Sequence, residues 1–242
     1  MQALHPATLR GVADHSRYQE DALGRLAGTI RWLTVTTFGS HSAVANEAAR
    51  VNRLHTRVTG TYEVSKDVSR DYKAADPDLL LWVHIAFMES FLVCHEWYAW
   101  REIPGGADAY ISQWSRSVEP LGLTNVPMDR DSLNSEISRI LASDTLRVDE
   151  RTRDVVKFIK YPPLPGIARI SYRLLFDAAV VSLEPEFRAM LGLKSAPRWL
   201  VQPLTRGLLR TIRWAIGPES PIEDAGRDRL VRIGAWQPEG TN

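Results

Sequence analysis

The sequence is short of the features that most directly reveal a protein's chemistry. A single cysteine, Cys94, excludes an internal disulfide and any zinc or iron–sulfur site built from several cysteines. Thirty basic side chains are almost balanced by twenty-nine acidic ones, so the net charge of +1 argues against broad electrostatic binding of nucleic acid. The patterns GxxxxGK[ST], GxGxxG, GxSxG and HExxH are missing. Nucleotide binding, serine hydrolysis and metalloprotease chemistry are therefore unsupported.

No targeting segment is evident at the start of the chain. Residues 1–10, MQALHPATLR, lack the basic start, apolar middle and small-residue cleavage site of a secretory signal. The longest apolar run, residues 79–94, is interrupted by His84, Glu89 and Ser90 and is shorter than the roughly 20 residues that span a bilayer. We therefore expect a buried core helix here, an unreactive Cys94 within it, and a cytoplasmic protein.

The spacing of apolar residues predicts an all-α fold. They recur every three or four positions, and no alternating run of β-branched residues with hairpin turns predicts a sheet. Asp76, Pro77 and Asp78 predict a helix start, with a capping aspartate and a proline at the first position, and this helix should run to about Trp100. Other helices are expected at 8–40 (continuous or broken), 107–118, 131–143, 149–160, 166–182 and 198–216. We expect one all-α domain over residues 1–242.

One histidine falls where a further helix would bury its apolar face. The stripe consists of Val44, Ala48, Val51, His55 and Val58. Ser42 is the expected N-cap, and Gly60 the expected residue just past the C-terminus. An imidazole at position 55 can be a hydrogen-bonded core residue, which is the commoner case, or it can bind a metal or a haem iron. A haem needs only one such ligand plus an apolar slot, so His55 is compatible with haem.

Two more histidines share one face of the apolar helix. His84 and His95 lie eleven residues apart, on the same side as Met88 and Phe91, while Glu89 points nearly opposite. Because helix rise separates the two histidines by roughly 16 Å, they cannot hold one metal ion together. On pattern alone both are interpreted as core histidines.

A polar face is predicted on the helix that includes residues 25–36. Arg25, Thr29, Trp32 and Thr36 fall at helical spacing. The non-functional interpretation is a helix that packs through a face of mixed polar and apolar side chains. The functional interpretation is the polar end of an apolar pocket, in which Arg25 neutralises a carboxylate and Thr29 positions a small ligand.

The segment 197–217 combines four arginines with two tryptophans and several leucines. A peripheral membrane contact through this segment is one interpretation. A core helix with a basic outer face is the other, and it is the more usual arrangement.

Four segments together resemble one protein family. They are QALHPATLRGVADHS (2–16), RLAGT (25–29), HTRVTG (55–60) and YKAADPDLLLWVH (72–84). In order and spacing they are similar to the family that groups the fungal oxygenase MpaB with the bacterial rubber oxygenase, or latex clearing protein. The resemblance covers most of the chain and is most specific up to residue 100.

The resemblance implies a helical domain built around a haem pocket, with haem b as cofactor and oxidative cleavage of isoprenoid double bonds as the activity. His55 matches the histidine of the family's H-x-x-V-x-G pattern and would be the proximal iron ligand. Arg25 and Thr29 match its R-x-x-x-T pattern and would be catalytic residues near the haem, Arg25 also binding it. His84 matches the histidine of W-V-H and would be a pocket residue, with iron ligation as its alternative role.

The chain departs from the family's pattern in three places. Rubber-cleaving members carry a lysine immediately before that threonine, where this chain has Gly28, which puts polymer cleavage in doubt. They also use an upstream glutamate as a base, whereas no glutamate precedes Glu20 here and only Asp14 and His15 lie nearby. The sequence also starts at the first matched segment, without the helix that usually precedes it in the family; we expect either that this start is genuine or that an N-terminal segment is absent from the sequence.

The sequence therefore predicts a haem b-dependent oxygenase that acts with dioxygen on an apolar, unsaturated substrate of isoprenoid or lipid-like type. The alternative is a non-catalytic helical protein that binds haem or lipid. No nucleic-acid partner is expected, and the oligomeric state is not predicted.

Overall fold

Helices dominate the chain, whose structure is a computed structural model describing residues 1–16, 18–65, 67–217 and 221–236. The α-helices of these residues are α1 (Pro6–His15), α2 (Ala22–Phe38), α3 (His41–His55), α4 (Pro77–Tyr98), α5 (Gly106–Ser115), α6 (Arg130–Ala142), α7 (Glu150–Lys160), α8 (Gly166–Ser182), α9 (Pro185–Met190), α10 (Arg198–Ile216) and α11 (Pro221–Arg232). Short 3-10 segments cover Gln2–Leu4 and Arg116–Leu121. The predicted predominance of α-helix is confirmed.

Helix α4 forms the centre of the main core. Its residues Trp82, Ile85, Met88 and Leu92 are almost completely buried. They pack with Ile111 of α5, Leu133 and Ile137 of α6, and Phe187 of α9. Each large apolar side chain buried in this way contributes about 1.5–3 kcal/mol. Among the described residues α4 is also the one helix long and apolar enough to cross a membrane, and the structure places it in the core, as expected.

Helices α8 and α10 close a second core cluster against the C-terminal end of α4. Tyr98 of α4 packs here with Ala178 and Val181 of α8 and Val201 of α10. The Tyr98 hydroxyl donates to the carbonyl oxygen of Ala178 at 2.7 Å, which fixes α4 against α8. The side of α10 that contains Val201 therefore faces the core, and the opposite side of the helix faces outward.

A hairpin between α3 and α4 contradicts the prediction that the chain lacks a sheet. Strands β1 (Thr59–Ser65) and β2 (Val68–Lys73) pair antiparallel. The prediction that Gly60 ends a helix is also wrong, because α3 ends at His55 with Thr56 as its C-cap and Gly60 lies in β1. A Cβ at Gly60 would lie 3.0 Å from Cε1 of Tyr72, so the glycine allows this ring to pack across the hairpin.

Two helix starts also differ in detail from their predictions. Ser40, not Ser42, is the N-cap of α3, and its hydroxyl accepts from the Ala43 backbone N–H at 3.2 Å. Asp76 is the N-cap residue of α4, with Pro77 at the first position, but its carboxylate accepts from the Lys73 backbone N–H at 2.8 Å instead of capping the helix. The aspartate therefore ties β2 to the start of α4.

Candidate functional site

An apolar cavity of about 590 Å³ lies among α1, α2, α4, α7 and α8. Its apolar wall includes Leu9, Val12, Phe87, Val155, Phe158 and Phe176. This volume falls within the roughly 300–1,000 Å³ typical of small-molecule and cofactor sites. The cavity is assembled from helices that are far apart in the sequence, so it depends on the whole fold.

Helix α2 contributes a cationic side chain to the cavity wall. Arg25 and Thr29 both line the cavity, and Nη1 of Arg25 donates to Oγ1 of Thr29 at 2.6 Å. Their spacing of four residues places them one turn apart on the same face of the helix. Leu26 also lines the cavity although it is 51% exposed. The hydroxyl of Thr36 instead donates to the carbonyl oxygen of Trp32 within α2, at 2.9 Å.

His55 is the last residue of α3 and is half-buried. Its Nδ1 is buried without a hydrogen-bond partner among the described residues. Burial lowers the pKa of His55, and the nearby positive charge of Arg25 lowers it further, so the imidazole is held neutral. His55 is not one of the described residues that line the cavity. Arg25 does line it, and the charge of Arg25 acts on the His55 imidazole.

His84 lies inside the core. It is buried on α4, its ring stacks on Trp114 with centroids 6.2 Å apart, and its Nε2 has no hydrogen-bond partner among the described residues. Burial lowers the pKa of His84 to about 4. The described residues of the cavity wall do not include it. His95 is exposed, and its Nε2 lies 2.9 Å from the carbonyl oxygen of Arg101.

A buried glutamate on the cavity wall was not predicted as a site residue. Glu89 of α4 is 5% exposed, lines the cavity, and accepts from Nη1 of Arg130 at 3.3 Å. Burial raises the pKa of Glu89, although Arg130 partly opposes the rise. Glu184 lines the same cavity, and burial raises its pKa as well. The signal in the sequence is an acid within the apolar run 79–94, which interrupts that run without indicating which side of the helix faces a cavity.

Three further positions bear on the departures from the family's pattern. A Cβ at Gly28 would meet no described atom within 4 Å. Asp14 pairs with Arg151 at 2.7 Å, and Nε2 of His15 lies 3.0 Å from the carbonyl oxygen of Thr59. Neither side chain is among the described residues of the cavity wall, so the structure does not make either one a base there.

Cys94 also lines the cavity. Its Sγ lies 3.7 Å from the hydroxyl oxygen of Ser182, and burial raises the pKa of the thiol. A protonated thiol is a poor nucleophile, which agrees with the expectation that Cys94 is unreactive.

A second pocket of about 680 Å³ adjoins the cavity and is more polar. The two share part of their walls, namely Glu89, Val93, Ser182, Leu183 and Glu184. Ser195, Pro197 and Arg198, just before and at the start of α10, line the second pocket alone. It therefore extends from the apolar cavity towards α10.

The chemistry of these side chains can be compared with what a metal ion and a haem each require. Among the described residues, no group of three or more histidine, cysteine, aspartate or glutamate side chains is placed to hold a metal ion. A haem requires less from the protein: one neutral imidazole nitrogen, a cation for its carboxylates and apolar walls. Arg25 and the apolar walls supply two of these groups at the cavity, and His55, which lies outside the described cavity wall, offers an imidazole near Arg25.

Comparison with known proteins gives one result. No curated protein and no solved structure matches the chain. Residues 1–214 match the family model described as ER-bound oxygenase mpaB/B'/Rubber oxygenase, catalytic domain. That match extends over most of the 242 residues and includes α1 to α10 almost completely. The chain therefore belongs to the family of mpaB and rubber oxygenase catalytic domains.

Proposed function

We propose that the protein is a haem b-dependent oxygenase that acts with dioxygen on an apolar, unsaturated isoprenoid or lipid-like substrate. Membership of an oxygenase family supports the reaction class. The observation that carries the cofactor is the set formed by the apolar cavity, Arg25 on its wall, and a neutral histidine with an unpaired nitrogen beside Arg25.

His55 is the residue that would hold the iron. A neutral imidazole has a lone pair to donate, and the low pKa of His55 keeps it in that form at neutral pH. Its buried Nδ1 has no partner among the described residues, and a buried polar atom without a partner is costly. Coordination would satisfy the ring nitrogen that binds the iron, and the other ring nitrogen would still take a hydrogen-bond partner.

Arg25 would bind a carboxylate of the haem. Nη1 of Arg25 is occupied by Thr29, but a guanidinium has five N–H donors in a planar fork, so donors remain for a carboxylate. A carboxylate bound there would partly neutralise the charge that lowers the pKa of His55. The cation on α2 and the imidazole on α3 would therefore act on the same group.

The cavity wall would bind the substrate and exclude water. Phe87, Val155 and Phe176 are suited to an isoprenoid or acyl chain, because binding there removes apolar surface from water. Thr29 offers a hydroxyl on the same wall, held by Arg25, to position a small ligand. A bound haem would supply the redox chemistry of its iron towards dioxygen, and the protein would supply orientation and a dry site.

The alternative function is non-catalytic binding of haem or lipid. Gly28 favours it, since the lysine of rubber-cleaving members is missing at this position. Neither Asp14 nor His15 replaces their upstream base, because both are occupied by contacts with other elements.

The test is haem binding and oxygen uptake by the full chain. The wild type reconstituted with ferric haem should show a Soret band that is lost or shifted in His55→Ala and restored by added imidazole. His15→Ala is the matched control, because the His15 side chain is exposed and its Nε2 already contacts the carbonyl oxygen of Thr59, so its loss should leave the spectrum unchanged. Oxygen uptake is then measured with an unsaturated isoprenoid and with its saturated analogue.

The outcomes distinguish the oxygenase from non-catalytic binding. Uptake with the unsaturated compound alone, abolished in His55→Ala and reduced in Thr29→Val with haem retained, supports the oxygenase. Stoichiometric haem binding without uptake supports the non-catalytic alternative. A folded wild type that binds no haem refutes the proposal, and a spectrum that depends on His84 instead of His55 refutes the ligand assignment.

A further inference from the structure

Helix α10 presents an outer face that is aromatic and apolar. Trp199 is 75% exposed and Trp214 is 85% exposed. At 3.6 residues per turn both point away from Val201 and Thr205, which are buried against the rest of the protein. We define the outer face of α10 by the exposed residues Trp199, Leu200, Leu204, Arg210 and Trp214. Large apolar side chains exposed together on one side of a helix commonly mark an interaction site.

Positive charge is concentrated in the segment of the chain that contains this face. Residues 187–217 contain six basic side chains and no acidic one, although the whole chain has a net charge of only +1. The other residues therefore carry five more acidic than basic side chains. Such segregation creates a local positive field that a nearly neutral chain would not otherwise have.

The combination of arginine, tryptophan and leucine fits one kind of surface best. Tryptophan and leucine are favoured at the boundary between lipid headgroups and acyl chains, and arginine is attracted to anionic headgroups. A second copy of the chain fits less well. A symmetric contact through this face would bring the Arg210 side chains and their basic neighbours of both copies together.

The position of the second pocket agrees with a lipid surface. Pro197 and Arg198, at the start of α10, line that pocket, and its inner wall is shared with the apolar cavity. We propose that the outer face of α10 docks peripherally on membranes containing anionic lipid. This docking concerns a surface outside the haem pocket and holds whether or not the protein turns over.

Vesicle flotation of the full chain tests the docking. Wild type should float with vesicles of phosphatidylcholine and phosphatidylserine, much less with phosphatidylcholine alone, and less at high salt because screening weakens the electrostatic part. Replacing both tryptophans (Trp199→Ser with Trp214→Ser) should reduce partitioning at least about tenfold, since binding scales with buried apolar area. Arg210→Gln should reduce it about fivefold, the equivalent of ~1 kcal/mol per basic residue near an anionic surface.

A control variant separates the outer face from general hydrophobicity. Leu23 is 73% exposed, close to the exposure of Trp199, and lies on α2; Leu23→Gln should float like the wild type. Equal flotation of the double tryptophan variant and the wild type would overturn the proposal. So would the absence of binding to both vesicle types by wild type with native circular dichroism. Concentration-dependent dimerisation abolished by the tryptophan replacements, without vesicle binding, would identify a second copy as the occupant instead.

Discussion

The neutral histidine in the core should make folding stability depend steeply on pH. The pKa of His84 is about 4 in the folded chain against an ordinary value of 6.5, because burial disfavours the charged form. Between these values the unfolded state binds the proton and the folded state does not, so stability is complete above pH 6.5 and falls as the pH drops towards 4. At ~1.36 kcal/mol per pKa unit, the gap corresponds to about 3 kcal/mol of unfolding free energy.

The assay is urea unfolding, followed by far-UV circular dichroism, at a series of pH values from neutral to acid. His84→Leu removes the titrating group and the unpaired Nε2 while keeping an apolar side chain in the core, so its free energy of unfolding should fall about 3 kcal/mol less than that of the wild type over this range. His95→Gln, on the same helix but exposed, should retain the wild-type pH dependence. Parallel pH profiles for His84→Leu and wild type would refute the assignment of a neutral, buried imidazole.

Three further predictions concern stability. Gly28→Ala should raise the free energy of unfolding by about 1 kcal/mol in urea titrations, because a Cβ fits without contact and glycine is a poor helix former. Glu47→Gln should lower the free energy of unfolding by about 2 kcal/mol at neutral pH, since the buried carboxylate accepts from Arg50 and Arg31. The control is Glu136→Gln, which breaks a similar but more exposed pair on α6 and should cost under ~1 kcal/mol. Burial raises the pKa of Glu89, so the charged carboxylate lowers the free energy of unfolding as the pH rises through that pKa. Glu89→Gln, which cannot ionise, should therefore be at least as stable as the wild type at neutral pH. A clearly lower free energy of unfolding for the variant at neutral pH would contradict this.

The contribution of Glu47 to the free energy of unfolding depends on pH in the opposite direction from that of Glu89. Hydrogen bonds from Arg50 lower the pKa of Glu47, so its contribution is present above the ordinary pKa and lost as the pH falls through the lowered one. Unfolding of Glu47→Gln measured at neutral and acid pH should therefore converge with the wild type at low pH.

Local signals in the sequence were enough to locate most helices. Proline and glycine mark the connections, and α8 was expected at 166–182 and found at Gly166–Ser182, while α10 was expected at 198–216 and found at Arg198–Ile216. The hairpin at 59–73 was missed although Tyr62 and Val64 alternate with Thr61 and Glu63 in the first strand, because the run is short and an isolated two-stranded sheet also depends on packing from elsewhere. Tyr72 supplies that packing, since it is buried with Ala7 of α1 and Leu79 of α4.

The site was predictable only where it depends on residues close together in the chain. Arg25 and Thr29 were predicted to share a face of α2, and their hydrogen bond follows from that spacing, whereas their catalytic roles stay predictions. The relation of His55 to Arg25 came from the family resemblance, and the structure shows only that the two interact electrostatically. Glu89 and the contributions of α7 and α8 to the cavity depend on long-range packing, which periodicity does not reveal.

Helix α4 shows why those long-range contributions matter. Its composition favours burial on all sides, yet it carries both His84 and Glu89, and burial of each costs free energy that a leucine at the same position would not. Glu89 is only partly compensated by Arg130, whose guanidinium also binds Glu96 at 2.5 Å. A buried ion pair is often no more stable than apolar residues of similar size, so stability alone does not account for an acid at this position. Glu89 lies on the cavity wall, where under the proposed function it would be one of the polar groups, with Arg25 and Thr29, that a bound substrate meets.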